Sequence, residues 1–134
     1  RAMAMVQTPC ISIIIGEGGS GGALALSLAD RLIMLENSYF SVISPEGAAS
    51  ILFKDSSMAS EAAKNLKLTA SDLKSFHLVD AVIREQSGFS RTQMDESVEE
   101  IRKAIRVALK RLTRIPPDRL VENRQQKFLN MRGF

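Results

Sequence analysis

Apolar positions follow two rhythms along this chain. Cys10-Ile11-Ser12-Ile13-Ile14-Ile15 is a near-continuous run of β-formers, the pattern of a buried parallel strand. Pro9 opens that strand, where a missing N–H costs little. Far downstream, Met94, Val98, Ile101, Ile105, Ala108 and Leu112 recur at intervals of 4, 3, 4, 3 and 4. That spacing predicts a helix over 92–113 with an apolar stripe and a Lys/Arg face. Between the two lie shorter elements. Helices are predicted at 20–30, 45–53 and 58–66, with a short one ending near Phe76. Strands are predicted at 31–35, 39–43 and 78–83.

Polar residues punctuate these segments. Ser44 precedes Pro45 and Glu46 as an N-cap, a proline at the first helical position and an acid in the first turn. Thr69-Ala70-Ser71-Asp72 reads as a second cap, with Asp where Glu is more usual. Gln86-Ser87-Gly88 is a break, and Pro116-Pro117 separates the long helix from a final basic helix over 118–130. The opening residues 1–6 read as a helix entered midway with no initiating Met. Together with the scarcity of partners for the first strand downstream, this predicts a piece of a longer protein whose missing strands lie upstream.

Composition narrows the class. A chain of 134 residues with 45% hydrophobic and 25% charged positions is that of an ordinary globular domain. No run reaches the roughly 18–20 apolar residues of a membrane helix, and the first residues lack a secretory pattern. The single cysteine, Cys10, allows no internal disulfide and no thiolate cluster, and reads as a small core residue; a cytoplasmic setting is expected. The net charge of +3 hides an asymmetry. Residues 1–100 carry 8 Lys and Arg against 13 Asp and Glu, a net of −5; residues 101–134 carry 10 against 2, a net of +8. Without interleaved aromatics the basic end reads as a solvated helical face, with docking to an acidic partner through Arg106, Lys110 or Arg114 as the alternative.

The candidate chemistry lies in Gly16-Glu17-Gly18-Gly19-Ser20-Gly21-Gly22, directly after the first strand and leading into a helix-former, Ala23-Leu24-Ala25. Glycine permits left-handed φ values and close approach of a ligand to the main chain. The first-turn N–H groups of the following helix, with its dipole, favour an anion or a developing oxyanion. Gly16, Gly18 and Gly21 match the dinucleotide spacing, but its acid, Glu36 or Asp30, closes no clean second strand of a βαβ unit. No Gly-Lys-Ser/Thr follows for a phosphate loop, and the glycines adjoin Ser20 in the wrong positions for a nucleophile elbow. A tight turn and a backbone oxyanion hole remain, and the oxyanion hole is the preferred reading. His77, the sole histidine, lacks an acid or nucleophile at useful spacing and reads as structural. Glu17 and Glu46 read as surface or capping residues with a general base as the alternative. One His, one Cys and scattered carboxylates form no metal set.

Ile15-Gly16-Glu17-Gly18-Gly19-Ser20-Gly21-Gly22-Ala23-Leu24-Ala25, Met34-Leu35-Glu36-Asn37 and Ser44-Pro45-Glu46-Gly47-Ala48-Ala49-Ser50-Ile51-Leu52 together resemble the carboxyltransferase α subunit of bacterial acetyl-CoA carboxylase. The likeness continues through Ala62-Ala63, Leu68-Thr69-Ala70, Val79-Asp80-Ala81-Val82-Ile83 and Arg124 to Phe128. It implies an α/β, crotonase-like fold of ββα units, present in part over 1–90, with a basic helical extension over 91–134. It implies transfer of a carboxyl group from carboxybiotin, carried on the biotin carboxyl carrier protein, to acetyl-CoA, giving malonyl-CoA for fatty-acid synthesis. The implied assembly is α2β2, with zinc only in a four-cysteine ribbon of the β subunit, and neither nucleic acid nor membrane as partner.

By the same resemblance, the N–H groups of Gly21 and Gly22 form the oxyanion hole, and Gly18, Gly19, Ser20 and Glu46 contact substrate. Leu24 stands where hydratases of the superfamily carry a catalytic Glu, which counts against hydratase chemistry; Glu46 falls near their second Glu. The family's usual Pro-Glu-Pro-Leu-Gly-Gly-Ala-His is replaced here by Arg84-Glu85-Gln86-Ser87-Gly88-Phe89. The N-terminal half of the family's subunit is absent, so activity of this piece in isolation is not expected. The alternative is another acyl-CoA enzyme of the superfamily, such as a biotin-dependent propionyl-CoA carboxylase or decarboxylase subunit.

Overall fold

The computed structural model describes residues 2–85 and 91–131; the expected break at Gln86-Ser87-Gly88 lies outside them. In chain order the elements are β1 (Ile11–Ile14), β2 (Glu17–Gly19), α1 (Ser20–Ser27), β3 (Arg31–Leu35), β4 (Tyr39–Ser41), α2 (Pro45–Leu52), α3 (Ala59–Leu66), α4 (Ala70–Ser75), β5 (Ala81–Ile83), α5 (Arg91–Leu112) and α6 (Pro117–Leu129). Two parallel sheets result. One has the order β1-β3-β5, and β2 pairs with β4 in the other.

The central strand β3 explains the layering. Its side chains alternate between two faces, as a strand's must. Leu32 and Met34 pack with Ala70, Leu73 and Val79 on the α4 side. Ile33 and Leu35 pack with Ile83, and Ile101 and Ala104 of α5 lie against that cluster. Both faces are therefore covered, which is why residues 32–35 read as unbroken apolar sequence. A third cluster, Ala48, Ala49 and Ala62, joins α2 to α3 through small residues that let the helices approach closely.

Several expectations change. One sheet partner of β1 does lie downstream: Ile11 to Ile14 pair with Arg31 to Met34, and β3 pairs in turn with β5, leaving β1 at the edge among the described residues. The unit β1–α1–β3 is thus a parallel βαβ crossover. Strand β1 is half-buried, and Ile15 is 70% exposed. The opening helix is only a 3₁₀ turn, Met3–Met5. The carbonyls of Met3 and Val6 accept instead from Arg124 Nη1, at 2.9 and 2.8 Å.

Strand β4 ends at Ser41 because its hydroxyl bonds the backbone of Ile43, a local turn that competes with the ladder. Strand β5 starts three residues late. The N–H groups of Leu78 and Val79 instead donate to Leu73 O, closing the end of α4. In α5 the first half of the predicted stripe is not buried: Met94 is 62% and Val98 51% exposed, while Ala108 and Leu112 are buried.

Candidate functional site

The glycine segment is not a single turn. After a bend at Ile15 and Gly16 it runs as β2, with Glu17, Gly18 and Gly19 in register with Tyr39, Phe40 and Ser41. A Cβ on Gly18 would sit 3.1 Å from Phe40 Cδ2 and 3.2 and 3.3 Å from Ile14 Cγ2 and Cδ1. Gly18 is therefore glycine because the β2–β4 ribbon lies directly on the core.

The other glycines answer to nothing in the fold. A Cβ at Gly16, Gly19, Gly21 or Gly22 would meet no heavy atom within 4 Å, and none of them has a left-handed φ. The left-handed residue is Ser20, at φ 66°, a conformation uncommon for a residue with a side chain. Gly19 is the extended N-cap of α1. No side chain caps this helix end, and its first turn holds no acid. Gly21 and Gly22 are exposed at that end. The first turn of α1 thus carries N–H groups that no side chain caps, on glycines whose Cβ positions are empty space.

Tyr39 brings together two acids the sequence reading left dispersed. It lies opposite Glu17 in the β2–β4 register, and the Glu17 carboxylate acts on its phenol. Burial, then the charge and hydrogen bond of Glu17, then the charge of Glu46 hold the phenol proton above its usual range. Glu17 and Glu46 are both exposed. The Ser-Pro-Glu-Gly motif that places Glu46 has a local logic. Ser44 Oγ accepts from Gly47 N at 3.1 Å, and a Cβ on Gly47 would sit 2.9 Å from Ile43 Cγ1.

Along α1 runs an apolar groove of about 470 Å³, lined by Leu24, Ala25 and Leu28 with Phe40, Val42 and Phe128 among others. Leu24 offers it no titratable group. A larger cleft of about 930 Å³ lies between β5 and α5, bounded by Arg31, Asp80, Glu100 and Lys103, and takes nothing from the glycine segment.

The acids proposed for a dinucleotide reading are both engaged. Asp30 accepts from Cys10 N at 2.7 Å and pairs with Arg124 at 2.8 Å. Glu36 Oε2 accepts from Glu85 N at 3.3 Å. His77 is exposed with φ 58°. Leu78 N donates to Leu73 O and His77 N to Lys74 O, so His77 is the left-handed residue of a Schellman cap ending α4. Cys10 is half-buried, with Sγ against Thr8 O.

The basic end is not merely a solvated face, because Arg124 is 1% exposed. Only its sequence distance from Asp30 concealed this role. Among the described residues no His, Cys, Asp and Glu side chains converge as a metal set, and no helix is long and apolar enough to cross a membrane.

The parallel ββα arrangement with a bare helix N-terminus defines the chain as crotonase-like. It superposes on the malonate decarboxylase hetero-tetramer of Pseudomonas with a TM-score of 0.68 at 21% identity, covering 92% of this chain and 49% of that one. An enoyl-CoA hydratase from Mycobacterium avium gives 0.56 at 20% identity over 98% of this chain and 54% of that one.

The sequence narrows this to one family. Residues 1–132 match the family described as acetyl co-enzyme A carboxylase carboxyltransferase-like, and the chain belongs to it. It is 49% identical over 129 residues to the acetyl-coenzyme A carboxylase carboxyl transferase subunit alpha of Geobacillus thermodenitrificans, covering 96% of this chain and 40% of that protein. The corresponding subunit of Clostridium perfringens is 49% identical over 126 residues, covering 94% and 46%. The chain thus spans less than half the length of these curated relatives.

Proposed function

We propose that this chain is the C-terminal part of a carboxyltransferase α subunit that moves a carboxyl group to acetyl-CoA, giving malonyl-CoA for fatty-acid synthesis. The observation that carries the reading is the open, uncapped N-terminus of α1, bordered by glycines with no packing reason to be glycine. Family membership supplies the reaction class. In this reading residues 1–90 are the last part of the crotonase-like domain and 91–134 its helical extension.

Carboxybiotin, held on its carrier protein, supplies the carboxyl group. The donors suit an oxygen of the biotin ureido ring or of a thioester, because the first turn of α1 carries uncapped N–H groups at the positive end of the helix dipole. The N–H groups of Gly21 and Gly22 hold that oxygen and take up the negative charge that develops as the carboxyl group departs. A fixed donor of this kind is worth roughly 2.7–4 kcal/mol of barrier. Gly18 and Gly19 carry the β2 backbone up to the helix end, and Ser20 turns it through its left-handed φ. Leu24 and the groove beside it keep water away, and Glu46 contacts substrate.

The partners are a β subunit in an α2β2 assembly, which carries the zinc, and the biotin carboxyl carrier protein. The setting is the cytoplasm, and neither nucleic acid nor membrane takes part. The test is reconstitution of the whole subunit, and separately of this chain, with a zinc-ribbon β subunit. Malonyl-CoA-dependent carboxylation of biotin is then followed. The whole subunit is expected to be active and this chain alone inactive. A complex that forms but uses only another acyl-CoA overturns the acetyl-CoA assignment.

A further inference from the structure

The segment that carries the glycines leaves the core at Cys10 and returns at Asp30, and its two ends are bonded to each other. Asp30 N and Arg31 N donate to Cys10 O at 2.9 and 3.2 Å, and Cys10 N donates to Asp30 Oδ2 at 2.7 Å. Within the excursion, Ser12 Oγ donates to Leu26 O and ties β1 to the far half of α1. The Asp30 carboxylate is thus the closing group of a loop of β1, β2 and α1.

That carboxylate is held from α6. Arg124 donates Nε to Asp30 Oδ1 at 2.9 Å and Nη2 to Asp30 Oδ2 at 2.8 Å. Its remaining donors go to carbonyls of the segment leading into Cys10: Nη1 to Met3 O and Val6 O at 2.9 and 2.8 Å, and Nη2 to Thr8 O at 3.1 Å. All five guanidinium N–H groups are used. The Arg124 and Asp30 side chains are 0% and 4% exposed. A pair this closed contributes orientation more than net stability, since burial of both charges offsets their attraction.

We propose that Arg124 is a positioning residue for carboxyl transfer: by locking Asp30 and the 3–8 segment together, it fixes where β1 delivers the glycine segment and hence where the Gly21 and Gly22 N–H groups point. The inference rests on the reading of α1 as an oxyanion site. It explains why a C-terminal helix reaches back 94 residues to a single carboxylate. A lysine cannot replace the fork, because one ammonium cannot bond both carboxylate oxygens and three carbonyls in a plane.

The test uses the whole subunit assembled with its partner. Arg124→Lys and Asp30→Asn each keep side-chain bulk and lose the fork. Lys127→Gln removes a second, half-buried anchor of α6, to Asp80 at 2.5 Å, and leaves the Arg124–Asp30 fork in place. Assays run below each variant's melting temperature. The expected result is a kcat lower by about 10²-fold in Arg124→Lys, because a misplacement near 1 Å has that effect. KM for acetyl-CoA stays within about twofold, and Lys127→Gln keeps the parental kcat. Asp30→Asn should reproduce the pattern, so the test stands if one variant fails to assemble. An unchanged kcat with only a lowered melting temperature in either variant overturns the proposal. So does an equal loss of kcat in Lys127→Gln. A parental enzyme without transfer activity refutes the carboxyltransferase reading itself, and a result confined to the variants does not.

Discussion

Replacing Gly21 by valine separates binding from folding more cleanly than any other change in this chain. Gly21 has no left-handed φ, and a Cβ there would meet nothing within 4 Å. The helix should therefore accept a side chain. Valine is a slightly better helix former than glycine, so stability should rise by a few tenths of a kcal/mol or stay level. The new methyl groups stand over the N–H groups of the first turn, in the space an oxyanion must enter. Loss of one such donor raises the barrier by about 2.7–4 kcal/mol, or 10²–10³ in kcat. The assay is malonyl-CoA-dependent carboxylation of biotin by the whole subunit with its partner, alongside a melting curve. Turnover within about fivefold of the parent, less than about 1 kcal/mol on the barrier, in an enzyme of unchanged stability would refute the oxyanion assignment. A lowered melting temperature would instead show that the space is not as open as it looks.

Gly18→Ala should do the reverse: its methyl meets Phe40 and Ile14 at 3.1–3.3 Å. Overpacking of this kind destabilises by about 1–3 kcal/mol, and an unchanged denaturant midpoint would count against the packing role. His77→Gly removes a left-handed residue from the end of α4. Relief of roughly 1–2 kcal/mol, less glycine's extra unfolded-state entropy, leaves a gain near 0.5 kcal/mol; a lower stability would contradict the Schellman geometry. Tyr39 should release its proton above pH 10.0, read as the phenolate absorbance difference between the parent and Tyr39→Phe. The folded state keeps that proton longer than the unfolded chain, so the contribution is present below pH 10 and is lost as the pH rises through the folded value. Glu17→Gln should move the midpoint down while burial, the larger cause, keeps it elevated; a parental midpoint at or below the ordinary value would refute the pairing.

The sequence was most legible where one local signal decides an element. Residues 32–35 are apolar throughout, and with Arg31 they form β3 with the predicted bounds 31–35. Ser44 and Thr69 cap their helices as their spacing indicates, accepting from Gly47 N and Asp72 N. Legibility failed where a distant partner decides. The carbonyls of Met3 and Val6 look ready for a helix, and only Arg124, more than a hundred residues on, diverts them. Asp30 looks free to bind a ribose until the same side chain fills it. Glycine content concealed β2, because a strand of Glu-Gly-Gly has no propensity signal and forms only when β4 arrives beside it.

The five glycines between residues 16 and 22 then divide by cause. A tight turn would require left-handed φ at one or more of them, and the left-handed residue is Ser20 instead. Close packing accounts for Gly18 alone. Gly16, Gly19, Gly21 and Gly22 bring the entropic penalty of glycine with no internal contact to offset it. Two of them, Gly21 and Gly22, lie in the first turn of a helix whose end no side chain caps. Stability alone would favour alanine at both positions and an Asp or Ser cap at Gly19. The fold forgoes all three, and an approaching oxygen that needs bare N–H groups supplies a physical reason for each.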